Sequence, residues 1–406
     1  MTRELAEEKT EGQASIKLSS RVLELLSKYS ELELEDVEME IGVLEIWLQP
    51  STAPVQIRPV AAPLKAKPRE ILKTEFSRPL RQYPGSIVEV RLGATRAEGG
   101  TRQKALVVGG EKVPPYYLSE GTMPHSPIIA LDVFDTEIKL AKAVRTHVEE
   151  VMDNPAEWAK RSVERFGADM VNLHLVSIDP LIKDTTPAVA TKTVEQVLQA
   201  VKVPLTVGGC GDPQKDLKVF EKVAEATQGE RILFNSVTLD MDIKKTAEVI
   251  QKFGHAAIAF TSMDMNKARE LNRKLYEYLP RENIVIDTTT AALGYGLDYA
   301  FSIMERTRLA GLMGDKELQH PMASGTTNAW AAREAWLSLA PEWGSRELRG
   351  PMWEVVTALT LLLAGVDYFM MMHPAAVKTL RDISTWLTSG QKEHPKALED
   401  WVTLKL

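Results

Sequence analysis

The sequence predicts an α/β protein built on an eight-stranded (β/α)8 TIM barrel over residues 128–388. Short apolar strands alternate with amphipathic helical segments eight times over this region. The strands are apolar along their whole length, as strands buried on both faces of a parallel sheet must be. The first strand ends in DVFDTE, whereas a doubly wound dinucleotide-binding sheet has a glycine-rich loop there. We therefore expect a closed barrel rather than an open sheet.

Turn and cap residues separate the predicted elements at regular intervals. Asn154 and Asp212 each precede a proline, which is the pattern of a capping side chain before the first helical turn. Gly167, Gly254 and Gly365 stand where helices end, immediately before the next strand. Helices are predicted at 214–227, 243–253, 265–279 and 297–312, among others, and strands at 128–134, 169–176, 204–210, 231–237, 255–262, 283–289, 320–326 and 367–373.

The chain outside the barrel divides into four predicted parts. Residues 1–49 form an N-terminal acidic appendage, and the proline-rich residues 50–75 form an extended linker. Residues 76–127 are predicted to form a β-hairpin that covers the N-terminal end of the barrel. Residues 389–406 form a C-terminal tail.

The predicted hairpin strands, 87–93 and 104–110, flank the glycine-rich stretch TRAEGGTR at 95–102. Backbone amides of such a stretch can bind an anion. A simple connecting loop is the preferred interpretation, because the strand-to-helix pattern of a phosphate-binding loop does not surround it.

Composition excludes several classes of function. The 49 basic and 56 acidic side chains give a net charge of −7, which argues against nucleic acid as a partner. The one cysteine, Cys210, cannot form a disulfide within the chain, a thiolate zinc site or an iron–sulfur cluster. The apolar run 358–366 is too short to cross a membrane. A polar N-terminus without a signal core predicts a cytoplasmic protein.

Functional groups of a β/α barrel project from the carboxyl ends of its strands. The residues predicted there share short side chains that donate or accept hydrogen bonds, which suits a ligand rich in amide or hydroxyl groups. The wider set of strand-end residues also contains Asp132, Asp135, His174, Asp179, Gly208, Gly209, Ser236, Asp264 and Thr290. The predicted ligand-binding residues are Asn235, Thr261, Asp287, Thr288, Thr289, Ser324, Thr326, Thr327, Asn328 and His373.

Other roles are open for several of these residues. Asp264, Thr326 and Thr327 stand at positions typical of helix N-caps. His174 and His373 could instead be core residues whose hydrogen bonds are made internally. The sequence contains neither a nucleophile elbow nor an HExxH motif. We therefore predict neither catalytic nor metal-binding residues.

Seven stretches together carry a family resemblance. They are RLGATRAEGGTR, IIALDVFDTE, FGADMVNLHLVSIDP, VPLTVGGCGDPQKD, ILFNSVT, IAFTSMDMNKAR and IDTTTAALGYGLDYAF, in this order. In this order and spacing they strongly resemble the small (delta) subunit of the corrinoid iron–sulfur protein, which in archaea is the delta subunit of the acetyl-CoA decarbonylase/synthase complex. The resemblance covers essentially everything after residue 75.

The resemblance implies a non-catalytic subunit that forms a heterodimer with a large (gamma) subunit. The large subunit would carry the iron–sulfur cluster and a corrinoid-binding domain, and the corrinoid (cobamide) would lie against the mouth of the small-subunit barrel. Its cobalt would accept a methyl group from a methyl-tetrahydropterin, through a methyltransferase activity. The methyl group would then pass to the acetyl-CoA synthase subunit, in acetyl-CoA synthesis or cleavage.

A wider resemblance extends to pterin-binding barrels, typified by dihydropteroate synthase and methyltetrahydrofolate:corrinoid methyltransferase. ILFNSVT resembles their asparagine-containing strand, with Asn235 in the matching position, whereas VGGCGD stands where they have a DPG-like triplet. The alternative function is therefore a self-sufficient pterin-dependent corrinoid methyltransferase that uses Asn235 and 287–290. A sugar- or phosphate-metabolising barrel ranks last, although SGTTN (324–328) resembles part of a phosphate site.

Overall fold

Eight parallel strands close into a barrel in the computed structural model, which describes residues 80–389. Each strand pairs with the next along the chain, and the last pairs with the first. The predicted (β/α)8 TIM barrel is thus confirmed, and every predicted strand overlaps an observed one. The barrel strands are β3 (Ile128–Phe134), β4 (Met170–His174), β5 (Leu205–Gly208), β6 (Leu233–Val237), β7 (Ala256–Phe260), β8 (Ile284–Asp287), β9 (Met322–Ser324) and β10 (Val366–Met371).

Helices surround the strands, and their predicted starts are confirmed. The Asn154 side chain accepts hydrogen bonds from the first turn of its helix, and Asp212 does the same for the helix that it precedes. The helix predicted at 265–279 ends at Leu275, ahead of Pro280. The helices of the described residues are α1 (Lys142–Val148), α2 (Pro155–Glu164), α3 (Pro187–Ala200), α4 (Pro213–Ala226), α5 (Ile243–Lys252), α6 (Met265–Leu275), α7 (Leu297–Leu312), α8 (Arg346–Ala364) and α9 (Pro374–Ser389).

A β-hairpin precedes the barrel, as predicted. Its strands, β1 (Val90–Leu92) and β2 (Leu106–Val108), pair antiparallel. The buried side chains of the hairpin pack in one cluster with strand residues such as Ile128 and Met170, and the amide of Gly93 donates to the carbonyl of Arg231, which precedes β6. The hairpin therefore lies over the N-terminal end of the barrel. The predicted acidic appendage and linker, and the predicted tail after Ser389, lie outside the described residues.

One buried guanidinium joins three parts of the barrel. Arg308 on α7 is 2% exposed and donates to the carboxylates of Glu111, which follows β2, and Asp367, at the start of β10. Asp367 also accepts from the backbone amide of Met322 in β9 (2.7 Å). Burial raises the pKa of Asp367, and the neighbouring guanidinium opposes that rise. The ion pairs thus hold β9, β10 and the segment after the hairpin together.

Replacing Arg308 tests this arrangement. Arg308→Met leaves two carboxylates buried without a counter-charge, so we expect the free energy of unfolding to fall by about 3–5 kcal/mol. Arg306→Ala, an exposed arginine on the same helix, is the control and should change it by no more than about 0.5 kcal/mol. Urea denaturation followed by near-UV circular dichroism measures both, and equal midpoints would contradict the account.

Candidate functional site

A polar cavity opens at the carboxyl ends of the barrel strands. Its volume is about 220 Å3. The residues that line it come from six strands and from the loop after β9, so the cavity exists only when the barrel is closed. They are Asp132, His174, Asn235, Ser236, Phe260, Asp287, Gly325, Thr327, Asn328 and Met370.

Asp132 is the centre of a hydrogen-bond network on one wall of this cavity. Its buried carboxylate accepts from Nδ2 of Asn172 (2.7 Å) and from the hydroxyl of Thr327. Nδ2 of Asn172 also lies 2.8 Å from Nε2 of His174. Nε2 of His174 also lies 3.2 Å from Oδ1 of Asp132, so the amide of Asn172 and the imidazole of His174 both lie against this carboxylate.

The position of His174 is fixed by its neighbours. Its ring stacks on Phe134, with 4.9 Å between centroids and 11° between planes. A Cβ atom at Gly208 would lie 3.3 Å from Nδ1 of His174, so glycine leaves that edge of the ring uncrowded. The side chain of His174 is 24% exposed. His174 thus presents the edge of its imidazole ring to the cavity.

Asp287 forms another part of the cavity. Its carboxyl group accepts from the backbone amide of Thr289 (2.8 Å), whose φ of 81° is rare for a β-branched residue. The hydroxyl of Thr289 donates to the carbonyl of Thr261 (3.0 Å), which holds the turn in place. Burial raises the pKa of Asp287 to about 7. Near neutral pH the carboxyl group can therefore either donate or accept a hydrogen bond.

Two asparagines bring amide groups to the cavity. Nδ2 of Asn235 lies 3.4 Å from the sulfur of Met370, which is a weak acceptor, so this amide remains available to a ligand. Nδ2 of Asn328 donates to the carbonyl of Thr290 (2.9 Å), which orients its side chain. The peptide bond between Asn235 and Ser236 is cis.

The structure separates the ten predicted ligand-binding residues into two groups. Asn235, Asp287, Thr327 and Asn328 line the cavity. The other six, which lie behind it or beside it, are Thr261, Thr288, Thr289, Ser324, Thr326 and His373.

The residues behind the cavity have different surroundings. The hydroxyl of Ser324 bonds to those of Thr290 (2.9 Å) and Thr326 (2.8 Å), so all three are satisfied internally. Within residues 80–389, the buried hydroxyls of Thr261 and Thr288 have no hydrogen-bond partner. The sequence alone does not distinguish Ser324, Thr261 and Thr288 from the residues that line the cavity.

His373 is a core residue. Its ring lies against His147 and Trp330, and its Nδ1 accepts from the amide of Ala375 (3.1 Å). The side chain is 1% exposed, and burial lowers its pKa to about 3. His373 therefore stays neutral and does not reach the cavity.

The N-cap interpretation holds for Asp264 and is wrong for two threonines. The Asp264 side chain accepts from two amides in the first turn of α6. Thr326 and Thr327 lie inside a 3-10 turn whose N-cap is Gly325. Their hydroxyls bond instead to Ser324 and Asp132.

Six of the ten residues that line the cavity are not among the ligand-binding residues predicted from the sequence: Asp132, His174, Ser236, Phe260, Gly325 and Met370. For Asp132 and His174, the sequence does contain a signal. Asn172 and His174 stand two residues apart in an otherwise apolar strand, and residues at that spacing share one face of a strand. Polar residues at alternate positions of a buried strand therefore indicate that they point into the barrel.

A larger concavity, of about 840 Å3, lies at the opposite end of the barrel, between the 95–103 loop and helices α3 and α4. Its buried arginine, Arg102, is already occupied by Glu230 (2.8 Å) and by the carbonyls of Val201 and Leu198. Barrel proteins bind their ligands at the carboxyl ends of the strands. We therefore regard the smaller cavity as the functional one.

Residues 80–389 contain no group of three or more His, Cys, Asp or Glu side chains placed to hold a metal ion. In the same part of the chain, no helix combines the length and the apolar character that a membrane span requires.

A closed eight-stranded β/α barrel with a polar cavity at the carboxyl ends of its strands defines the chain as a β/α-barrel protein. The family model for the CO dehydrogenase/acetyl-CoA synthase delta subunit matches residues 89–340. The acetyl-CoA decarbonylase/synthase complex subunit delta of Archaeoglobus fulgidus is 53% identical over 87% of this chain and 79% of the relative. The corresponding subunit of Methanothermobacter thermautotrophicus is 43% identical over 95% and 97%. The chain therefore belongs to the CO dehydrogenase/acetyl-CoA synthase delta subunit family, and the resemblance predicted from the sequence is confirmed.

Among solved structures, this chain is similar to dihydropteroate synthase from Xanthomonas albilineans, with a TM-score of 0.45 and 14% sequence identity. The similarity covers 66% of this chain and 96% of the dihydropteroate synthase chain. The barrel assignment itself depends on the strand pairing described above.

Asp287→Asn is expected to remove a pH dependence of stability. The pKa of Asp287 is about 7 in the folded chain, whereas an unfolded aspartate has a pKa of about 3.9. The folded state therefore holds an additional proton between these values. The resulting stabilisation is complete below about pH 4 and is lost as the pH rises to the folded pKa.

Urea denaturation between about pH 4 and pH 8 measures this effect, because asparagine does not titrate. The free energy of unfolding of the wild type minus that of Asp287→Asn should fall by up to about 1.4 kcal/mol per pH unit and level off above the folded pKa. A difference that is constant across this range would contradict the raised pKa.

Proposed function

We propose that the chain is the small subunit of a corrinoid iron–sulfur protein, whose barrel mouth covers one face of a corrinoid held chiefly by the large (gamma) subunit. The observation that carries the proposal is the polar cavity at the mouth of a barrel from this family. The chain would thus organise a heterodimer and supply no catalytic residue of its own.

The chemistry of the cavity fits the rim of a corrin ring, which bears acetamide and propionamide groups. Amides and hydroxyls both donate and accept hydrogen bonds, and Asn235, Asn328 and Ser236 supply such groups. The corrinoid supplies a cobalt centre that accepts and releases a methyl group. His373 is buried and hydrogen-bonded to Ala375, so it offers no permanent ligand to the metal, which suits a cover that moves aside.

Exposed apolar residues on the loops around the mouth also support a docking role. Leu181 and Ile182, on the loop after β4, are 94% and 51% exposed. The loop is held in place because the amide of Leu181 donates to the carboxylate of Asp179 (2.8 Å) and that of Thr185 donates to the carbonyl of Ser177 (3.0 Å). Apolar side chains that are exposed to solvent on an ordered loop beside a cavity are typical of surfaces that another molecule covers.

The remaining partners follow from this role. Because Cys210 is the one cysteine of the chain, the iron–sulfur cluster would belong to the large subunit. A methyl-tetrahydropterin would donate the methyl group through a methyltransferase activity, and the acetyl-CoA synthase subunit would receive it. A single unpaired cysteine also suits the reducing cytoplasm, where we place the complex.

The proposal predicts that the full chain binds the purified large subunit in a 1:1 complex and slows the release of its cobamide. Size-exclusion chromatography with light scattering measures the stoichiometry, and the corrinoid absorption spectrum follows release. A chain with both Leu181→Asp and Ile182→Asp should slow release less than the wild type, because charged groups replace the apolar rim. The proposal fails if the wild type neither associates nor affects cobamide retention.

A second candidate function is a pterin-dependent corrinoid methyltransferase. The observation in its favour is that Asn235, Asp287 and Asn328 share one cavity. Their amides and a carboxyl group with a pKa of about 7 can donate to and accept from the edge of a pterin ring.

The two candidates differ in what the isolated chain does. We expect the chain without its partner to leave free cobalamin unmethylated when the cobalamin is first reduced to Co(I) with a chemical reductant and a methyltetrahydropterin is added, because a covering subunit contributes no catalytic group. Absorption spectroscopy of cobalamin measures the reaction. Methylation that is lost in Asn235→Ala, and retained in the control Asn266→Ala on the exposed face of α6, would establish the second candidate instead.

A further inference from the structure

Exposed apolar side chains concentrate in one sector of the barrel. Eleven of the eighteen large apolar residues that are exposed within residues 80–389 fall between positions 295 and 363. This segment comprises α7, the loop after β9 and α8. We call this surface the α7/α8 face and define it by Tyr299, Trp336, Trp343, Met352, Val356 and Leu363.

From Pro351 to its C-terminal end, the outer side of α8 carries no charged residue. Met352, Val356 and Leu363 are spaced by four and seven residues, so they share one side of the helix, and they are 43%, 37% and 53% exposed. Glu354 is the one charged residue between Pro351 and Val366, and it is fully buried. A helix on the surface of a soluble protein normally carries charged residues on its outer side. An uncharged outer side therefore indicates that another protein covers it.

The loop between β9 and α8 extends this face and is fixed in shape. Arg349 at the start of α8 is 4% exposed. Its guanidinium donates to four carbonyl groups of the loop, those of Glu334, Leu337, Trp343 and Gly344. Trp336 and Trp343 are 40% and 50% exposed on this fixed loop. Because the loop is already ordered, a partner that binds it loses little conformational entropy there.

The same loop continues into the cavity. Its first residues include Gly325, Thr327 and Asn328, which line the cavity, and it leads to Trp336 and Trp343 on the outside. A polypeptide that holds a ligand over the mouth of the barrel must rest on its rim, and this loop is an apolar part of that rim. The α7/α8 face is thus continuous with the proposed corrinoid contact.

We propose that the α7/α8 face is the permanent docking surface for the corrinoid-bearing large subunit, which meets the outer side of α8 after Pro351 with an uncharged, mainly apolar surface. This inference rests on the proposed function and adds the place where the partner binds. Permanent interfaces are more apolar than transient ones and depleted of charge at their centres. The outer side of α8 has both properties.

A membrane surface fits this face less well. Binding to an anionic membrane requires lysine or arginine beside the apolar residues. The segment from Pro351 to Asp367 contains neither. The exposed arginines elsewhere on the face (Arg306, Arg333 and Arg346) alternate with the exposed acidic residues Asp298, Glu305, Glu342 and Glu347, so the face has no basic cluster.

Charge substitutions on α8 test the proposal. Val356→Glu and Leu363→Glu, each made in the full chain, place an unpaired charge in the interface. Each should weaken binding to the purified large subunit by roughly tenfold or more and should speed cobamide release. Val189→Glu on α3, an exposed valine outside this face (50%), is the matched control and should bind as the wild type does. Thermal unfolding checks that all three variants remain folded.

Other outcomes would overturn the inference. If the wild type binds and both α8 variants bind equally well, the face is not the docking surface, although the proposed function stands. The inference also fails if large-subunit affinity is unchanged while Val356→Glu abolishes a dimer of this chain or its binding to anionic phospholipid vesicles. If the wild type binds no large subunit, the proposed function fails as well.

Discussion

Closure of the barrel is the constraint on which the rest of the structure depends. β10 pairs with β3 from Tyr368 opposite Ile128 onward, and this pairing joins residues that are far apart in the chain. It brings Asp132 on the first barrel strand beside Thr327, which follows the seventh and donates a hydrogen bond to it. The buried ion pairs of Arg308 hold the last strands at the other end. Without closure, the cavity at the mouth has no opposite wall.

Closure of the barrel also excludes water, and this exclusion determines the protonation state of the buried titratable groups near the mouth. Burial raises the pKa of Asp287 to about 7 and that of Glu354 to about 8, and it lowers the pKa of His373 to about 3. Glu354 accepts from the amides of Met372 (2.6 Å) and His373 (3.0 Å), which fixes the turn after β10. Glu354 and His373 are therefore mostly neutral near neutral pH and Asp287 is partly protonated, which suits hydrogen bonding to amides better than binding of a cation or an anion.

Most of the fold could be predicted from the sequence, because buried parallel strands are continuously apolar and the helices begin and end at identifiable caps. The candidate site could be predicted only as a ring of residues at the carboxyl ends of the strands, without knowing which of them line the cavity. Whether a residue such as Ser324 or Asn328 faces the cavity depends on the orientation of its strand or loop, which the sequence pattern does not specify. The contact between Asp132 and Thr327 depends on closure across 195 positions. The burial of His373 depends on Trp330 and His147, which lie on separate elements.

The central claim is that the barrel mouth lies against a macrocycle held by another polypeptide. A structure of the full chain in complex with the corrinoid-bearing large subunit tests it most directly. The account predicts the corrin ring over the cavity, with its amide groups hydrogen-bonded to Asn235 or Asn328. A corrinoid bound elsewhere, with the cavity open to bulk water and the partner docked at another surface, would contradict it.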